Sequence, residues 1–185
     1  MINIIKTNQR LLIRWLIANF LAWPIGLFIA IVLSYTVVNI FHPKETNLIL
    51  GLGIGLTVGI SQWFVLKKYQ KISKWWIAIP CLCIGIPFAI LIMMEENGNT
   101  LPVLFNIDEA GQILFFFTAG VLTGIFQIIV FKGTLSNSYS WIILSGIAWA
   151  ASLAYNQILL SGIIMGLITG FGLIILIRKK VILTS

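Results

Sequence analysis

Six stretches of this 185-residue chain carry no Asp, Glu, Lys, Arg or His; they lie within residues 15–40, 47–66, 75–94, 110–131, 139–155 and 157–177. A helix needs about 20 mostly apolar residues to cross ~30 Å of hydrocarbon at ~1.5 Å per residue. Runs of this length leave room for short connections and no separate soluble domain. Composition agrees: 59% of the residues are hydrophobic and 9% charged, against roughly 25% charged in an ordinary soluble domain, and the mean hydropathy is +1.05. The expected fold class is all-α: a polytopic membrane protein in which residues 1–185 form one transmembrane domain, a six-helix bundle. The fifth run is short and meets the sixth at Tyr155-Asn156-Gln157, so a single broken or re-entrant segment competes with the six-span count.

The charged residues orient the bundle. Lys6, Arg10 and Arg14 precede the first run, Lys67, Lys68, Lys71 and Lys74 follow the second, Lys132 follows the fourth, and Arg178, Lys179 and Lys180 follow the sixth. With six spans these eleven fall on one side, while Lys44 and all five acids, Glu45, Glu95, Glu96, Asp108 and Glu109, fall on the other. The positive-inside rule then places both termini in the cytoplasm. Merging any two spans would scramble this segregation. The net charge of +7 is accounted for by bases at span ends facing anionic headgroups, with no call on nucleic acid. The first run is too long for a signal-peptide core and is expected to be retained.

A phrase recurs in the even-numbered runs: GLTVGISQW from residue 55, GVLTGIFQI from 120 and GLITGFGLI from 166. Each carries two glycines four apart with a threonine between them: Gly55 and Gly59, Gly120 and Gly124, Gly166 and Gly170. Gln62 and Gln127 follow the second glycine by three residues, whereas this alignment puts Leu173 in the third copy. The odd-numbered runs open on tryptophan: Trp15, Trp75-Trp76 and Trp141. Three tandem helical hairpins are therefore expected, with a longer outer loop at 95–109. Glycines four apart flatten one stripe of a helix, and helices in lipid associate by such close contact, since hiding apolar surface gains nothing there. The six motif glycines are accordingly the expected helix-packing residues, and the even spans are expected to make the tight inner contacts.

The polar residues inside the runs are the candidate ligand or interhelical contacts. Gln62 and Gln127 lie close to the glycine face, and an amide turned to lipid would cost several kcal/mol. Both are expected to face protein, a cavity or a ligand. Trp23 and Trp149, two turns deeper than the leading tryptophans, with Asn19 and Pro24 nearby, are the other candidates for a pocket between the first and fifth spans. Trp15, Trp75, Trp76 and Trp141 are expected in an interfacial aromatic belt, and Pro24, Pro80 and Pro87 are expected to bend the first and third helices. Cys81 and Cys83 read as buried small apolar residues.

No Asp, Glu, Lys, Arg or His lies inside a run, which disfavours proton-coupled and voltage-driven mechanisms. One histidine, His42, with scattered carboxylates falls short of a catalytic metal set, and no phosphate loop of the GxxxxGK[ST] type occurs. Asn106 and Glu109 could form a capping box opening the fourth helix. No enzyme activity, resident cofactor or metal is expected.

The glycine pair followed by Gln62-Trp63, the basic turn KKYQKISK and a tryptophan opening the next span resembles hairpin repeats in uncharacterised bacterial multipass membrane proteins, which implies kinship of fold and no activity. The six spans, cytoplasmic termini and the alanine pair Ala18 and Ala22 look like the substrate-binding S-components of energy-coupling-factor transporters, in which such a face docks the transducing subunit. Two functions are compatible with the residues. One is a non-enzymatic accessory or assembly subunit of a bacterial cytoplasmic or other energy-transducing membrane, acting through glycine-rich faces, with the lipid bilayer, other membrane subunits or a second copy as partners. The other is a small-molecule binder or transporter, pigment or lipid included, using Asn19, Trp23, Gln62, Gln127 and Trp149.

Overall fold

The structure, a computed structural model, describes residues 2–38, 46–96, 109–131, 138–154 and 158–183. These contain six helices and no strand: α1 (Ile2–Val38), α2 (Thr46–Leu66), α3 (Trp75–Glu96), α4 (Glu109–Phe131), α5 (Ser138–Ala154) and α6 (Ile158–Leu183). Two described segments are long and apolar enough to cross a membrane, Asn8–Thr36 and Ile113–Val130. The fifth and sixth runs form two helices packed side by side, with the Ser161 hydroxyl donating to the Ser152 carbonyl. Of the outer loop expected at 95–109, Glu95 and Glu96 end α3 and Glu109 opens α4; residues 97–108, Asn106 among them, and His42 lie outside the described residues.

Local signals set the one described connection. At the end of α2, the carbonyl of Leu66 accepts from the N–H groups of Tyr69 and Gln70, both at 2.9 Å, satisfying an acceptor that the helix leaves open. Ser73 then starts α3, its hydroxyl accepting from the N–H of Trp75 at 3.3 Å in the manner of an N-cap. Pro24 and Pro80 sit inside α1 and α3, tolerated because neighbouring helices hold the backbone in place.

The helices form a closed ring. Each packs on its successor in the chain, and α6 packs on α1. Facing residues show that the neighbours joined by glycine contacts run antiparallel: Gly26 meets Thr57, Gly59 meets Ile77, Gly124 meets Ile142, Gly172 meets Leu144 and Gly162 meets Phe20. The motif glycines make their closest approaches between an even helix and the odd helix that follows it around the ring. A Cβ on Gly55 would lie 2.6 Å from the Pro80 carbonyl oxygen, and one on Gly59 2.5 Å from that of Ile77. On Gly120 it would lie 2.6 Å from the Ser145 carbonyl oxygen, and on Gly124 2.9 Å from the Ile142 Cα. In the third unit the partners of α6 belong to α1: a Cβ on Gly162 would lie 2.7 Å from the Asn19 oxygen, and one on Gly166 3.3 Å from the Leu16 Cα.

This geometry shifts the third copy by one helical turn. Gly59, Gly124 and Gly166 each face the residue after a tryptophan (Ile77, Ile142 and Leu16), and Gly55, Gly120 and Gly162 each face positions four and five beyond that tryptophan. The structural pair in α6 is thus Gly162 and Gly166, while the atoms nearest a Cβ on Gly170 belong to the side chains of Leu12 and Trp15. The repeating unit is an even helix with the next odd one, and the third unit, α6 with α1, is divided between the two ends of the chain. The interfaces made by the motif glycines consequently lie between consecutive hairpins, while Gly26, Gly53 and Gly172 add contacts within hairpins, and the even helices pack on odd helices rather than on one another.

Polarity is arranged from inside to outside. Asn19, Gln62, Thr123, Gln127, Ser145, Ser152, Ser161 and Thr169 are buried, whereas Ile13, Phe28, Leu56, Leu82, Leu114, Ile129, Ile143, Leu160 and Phe171 are exposed. The leading tryptophans correct the aromatic-belt expectation: Trp15, Trp76 and Trp141 are 0%, 1% and 2% exposed, and only Trp75, at 68%, faces outward. The reason is chemical, since each inward indole finds an acceptor on the neighbouring even helix.

Two outcomes test this architecture. Gly120→Ala drives a methyl group against immobile backbone and is expected to cost ~1–3 kcal/mol, the range for overpacking, whereas Gly166→Ala, with its nearest atoms at 3.2–3.3 Å, should cost less; thermal unfolding in detergent reads both. The free ends of α6 and α1 share one end of the ring, so a permuted chain opened between α1 and α2, with α6 linked to α1, is expected to fold with a melting temperature within a few degrees of the parent.

Candidate functional site

The tryptophans that open the odd helices point into the ring and organise a polar layer. Trp76 Nε1 donates to Gln62 Oε1 at 3.3 Å, Trp141 Nε1 to Gln127 Oε1 at 3.0 Å, and Trp15 Nε1 to Thr169 Oγ1 at 2.8 Å. The acceptor in every case stands three residues beyond the second glycine of its unit: Gly59 to Gln62, Gly124 to Gln127, Gly166 to Thr169. Thr169 therefore fills the place of the third glutamine. Leu173, aligned with the glutamines by sequence, instead lies with Leu66 in the apolar layer around the three tryptophans.

Gln62 extends the layer sideways. Its Nε2 donates to Asn19 Oδ1 at 3.0 Å, and Asn19 Nδ2 donates to the Trp15 carbonyl at 2.8 Å. With the Trp15–Thr169 bond and the Thr169 bond to the Met165 carbonyl at 2.5 Å, a line of hydrogen bonds runs from α3 through α2 and α1 to α6. An indole N–H only donates, so the tryptophans decide which end of each glutamine amide faces them. Gln62 and Gln127 are each 3% exposed and Asn19 is 0% exposed, which makes every one of these bonds costly to leave unmade.

Apolar layers close the site on both sides. Leu11, Val65, Leu66 and Leu173 surround Trp15, Trp76 and Trp141 on one side. Beyond the polar layer on the other lie Ala22, Trp23, Val58, Ile84, Ala148, Trp149 and Met165. Trp23 and Trp149 come from helices that do not adjoin in the ring and meet with ring centroids 6.0 Å apart, tilted by 46°; the buried Trp23 Nε1 has no hydrogen-bond partner among the described residues.

The five polar candidates read from sequence all reach this interior. Gln62, Gln127 and Trp149 line one cavity of about 10 Å³, together with Val58, Pro80, Thr123, Trp141, Ser145, Met165 and Thr169. That is room for about one water molecule. Asn19 is joined to the cavity wall through Gln62, and Trp23 through Trp149. Sequence reading missed Thr123, Ser145, Thr169 and the inward roles of Trp15, Trp76 and Trp141. The spacing of three from glycine to acceptor would have found Thr169 had the third copy been read from Gly162.

Chemically, the layer holds neutral donors and acceptors. None of the residues lining the cavity is ionisable, and no group of three His, Cys, Asp or Glu side chains comes together among the described residues. Both cysteines are free thiols, with Cys81 Sγ 3.6 Å from the Leu52 carbonyl oxygen. The arrangement can fix helix register and hold a small neutral polar guest. No protein-family model matches the chain, and neither a curated protein nor a solved structure matches it.

The network predicts an order of sensitivity. Gln62→Leu strands both the Trp76 donor and the Asn19 acceptor and is expected to lower stability more than Trp141→Phe, which leaves one buried acceptor unmet at ~1–3 kcal/mol. Thermal unfolding of the two variants beside Tyr139→Phe, a substitution at an exposed position, measures the difference.

Proposed function

We propose that the chain is a polytopic integral membrane protein without enzymatic activity that serves as an accessory or assembly subunit, presenting its outer apolar surface to lipid and to other membrane proteins. The observation that carries this reading is the inverted polarity: every helix turns large apolar side chains outward while amides and hydroxyls meet at the centre. Such a surface suits hydrocarbon, where exposed polar groups would be unsatisfied. With six spans, the basic residues gather on one side, and both termini lie in the cytoplasm of a bacterial or other energy-transducing membrane.

The interior supports the accessory role over the storage of a ligand. At about 10 Å³, the cavity is far below the ~300 Å³ at which pockets begin to hold drug-sized molecules. A small-molecule binder built on Gln62, Gln127 and Trp149 requires the helices to separate. The motif glycines are occupied within the ring, so the surface offered to a partner is the exposed aliphatic and aromatic one, exemplified by Phe28, Leu114, Ile129 and Phe171.

Native mass spectrometry of the protein, extracted gently from its own membranes, tests the proposal. The expected result is a stoichiometric polypeptide partner or a second copy. A solitary chain carrying a stoichiometric small molecule would overturn it and make the polar layer a binding site.

A further inference from the structure

The pseudo-threefold arrangement is broken at one place, and the break has the chemistry of a binding site. In the first unit, Gln62 accepts from Trp76 and passes its amide N–H to Asn19 on the preceding odd helix. Asn19 stands four residues beyond Trp15. For Gln127 the equivalent position, four residues beyond Trp76 on α3, is Pro80, and for Thr169 it is Ser145 on α5. Proline has no side-chain acceptor. Trp141 holds Gln127 Oε1 at 3.0 Å, which turns Nε2 away, and no acceptor among the described residues takes it.

Gln127, Pro80, Thr123 and Ser145 all line the cavity of about 10 Å³, and Gln127 is 3% and Thr123 and Ser145 each 2% exposed. We propose that this cavity binds a single water molecule that takes the place of the missing asparagine amide. The water accepts from Gln127 Nε2 and donates to the oxygens of Ser145 and Thr123. Thr123 spends its own proton on the Ala119 carbonyl, at 2.8 Å, and although its hydroxyl also meets the Cys83 thiol, an sp3 oxygen with two lone pairs keeps one to accept from the water. Three bonds is the usual complement of a buried water, and the volume matches one molecule.

The donor set rejects the other small guests. A cation would confront the amide N–H of Gln127. An anion would sit in a largely apolar interior where no lining residue carries a positive charge, at a desolvation cost that nothing offsets. A dry cavity would leave the amide donor of a residue that is only 3% exposed without an acceptor, which native structures avoid. Water alone supplies an acceptor and two donors in this space.

The test is an experimental structure of the full chain at a resolution that shows ordered waters. A peak within hydrogen-bonding distance of Gln127 Nε2 and Ser145 Oγ is expected. No peak, or Gln127 rotated so that Nε2 meets a protein carbonyl, would overturn the proposal, as would an anomalous peak there in crystals grown with bromide. Pro80→Asn supplies the missing acceptor and is expected to expel the water and to melt several degrees above Pro80→Ala, which removes the proline without supplying an acceptor. Equal melting of the two variants would count against the proposal. The wild-type structure decides the matter even if neither variant folds.

Discussion

Backbone contact at glycine is the constraint from which the rest of this protein follows. Where an even helix meets the next odd one, the glycine faces lie so near the neighbouring carbonyl oxygens and Cα atoms that a single methyl group would collide. Contact this close admits one register and no sliding. That register places the indole of the following helix beside an acceptor three residues past the second glycine, in all three units. Van der Waals contact thus sets the geometry, and the Trp–Gln and Trp–Thr hydrogen bonds stabilise it.

Closing the ring with α6 on α1 has an energetic consequence. Each helix gains two neighbours, so the amides and hydroxyls of α1, α2, α4, α5 and α6 are enclosed and each helix keeps an apolar outer face. The polar layer lies between two apolar layers rich in tryptophan. Amides enclosed in this way stabilise only when partnered, and the chain partners them by different means in each unit: an asparagine for Gln62, a shorter threonine in place of the third glutamine, and a proline-lined cavity beside Gln127. Three nearly equivalent units have diverged at the position where the interior is most demanding.

Much of this was legible from one dimension. Charge-free runs located the helices, because apolar length is a local property. The recurring glycines and glutamines pointed to the residues at the interfaces. Two readings went astray for the same physical reason. Trp15, Trp76 and Trp141 resemble membrane-interface residues by position, yet an indole at a helix end faces inward when a neighbouring helix offers an acceptor. The third glycine motif resembles the others best from Gly166, yet α6 meets α1 one turn earlier, through Gly162. Neither fact is encoded in spacing along one helix; both depend on what stands opposite.

By itself, the sequence determined that the chain is helical, that its outward faces are apolar, and that Gln62 and Gln127 must be buried with partners, since each follows from the solvation cost of single residues and segments. Only the tertiary structure decided which helix meets which, that Thr169 and not Leu173 completes the layer, that the third unit joins the two ends of the chain, and that Pro80 leaves a water-sized gap beside Gln127. Those are properties of pairs of residues far apart in the chain. Their energies depend on distances of a few ångströms that exist only once the ring is closed.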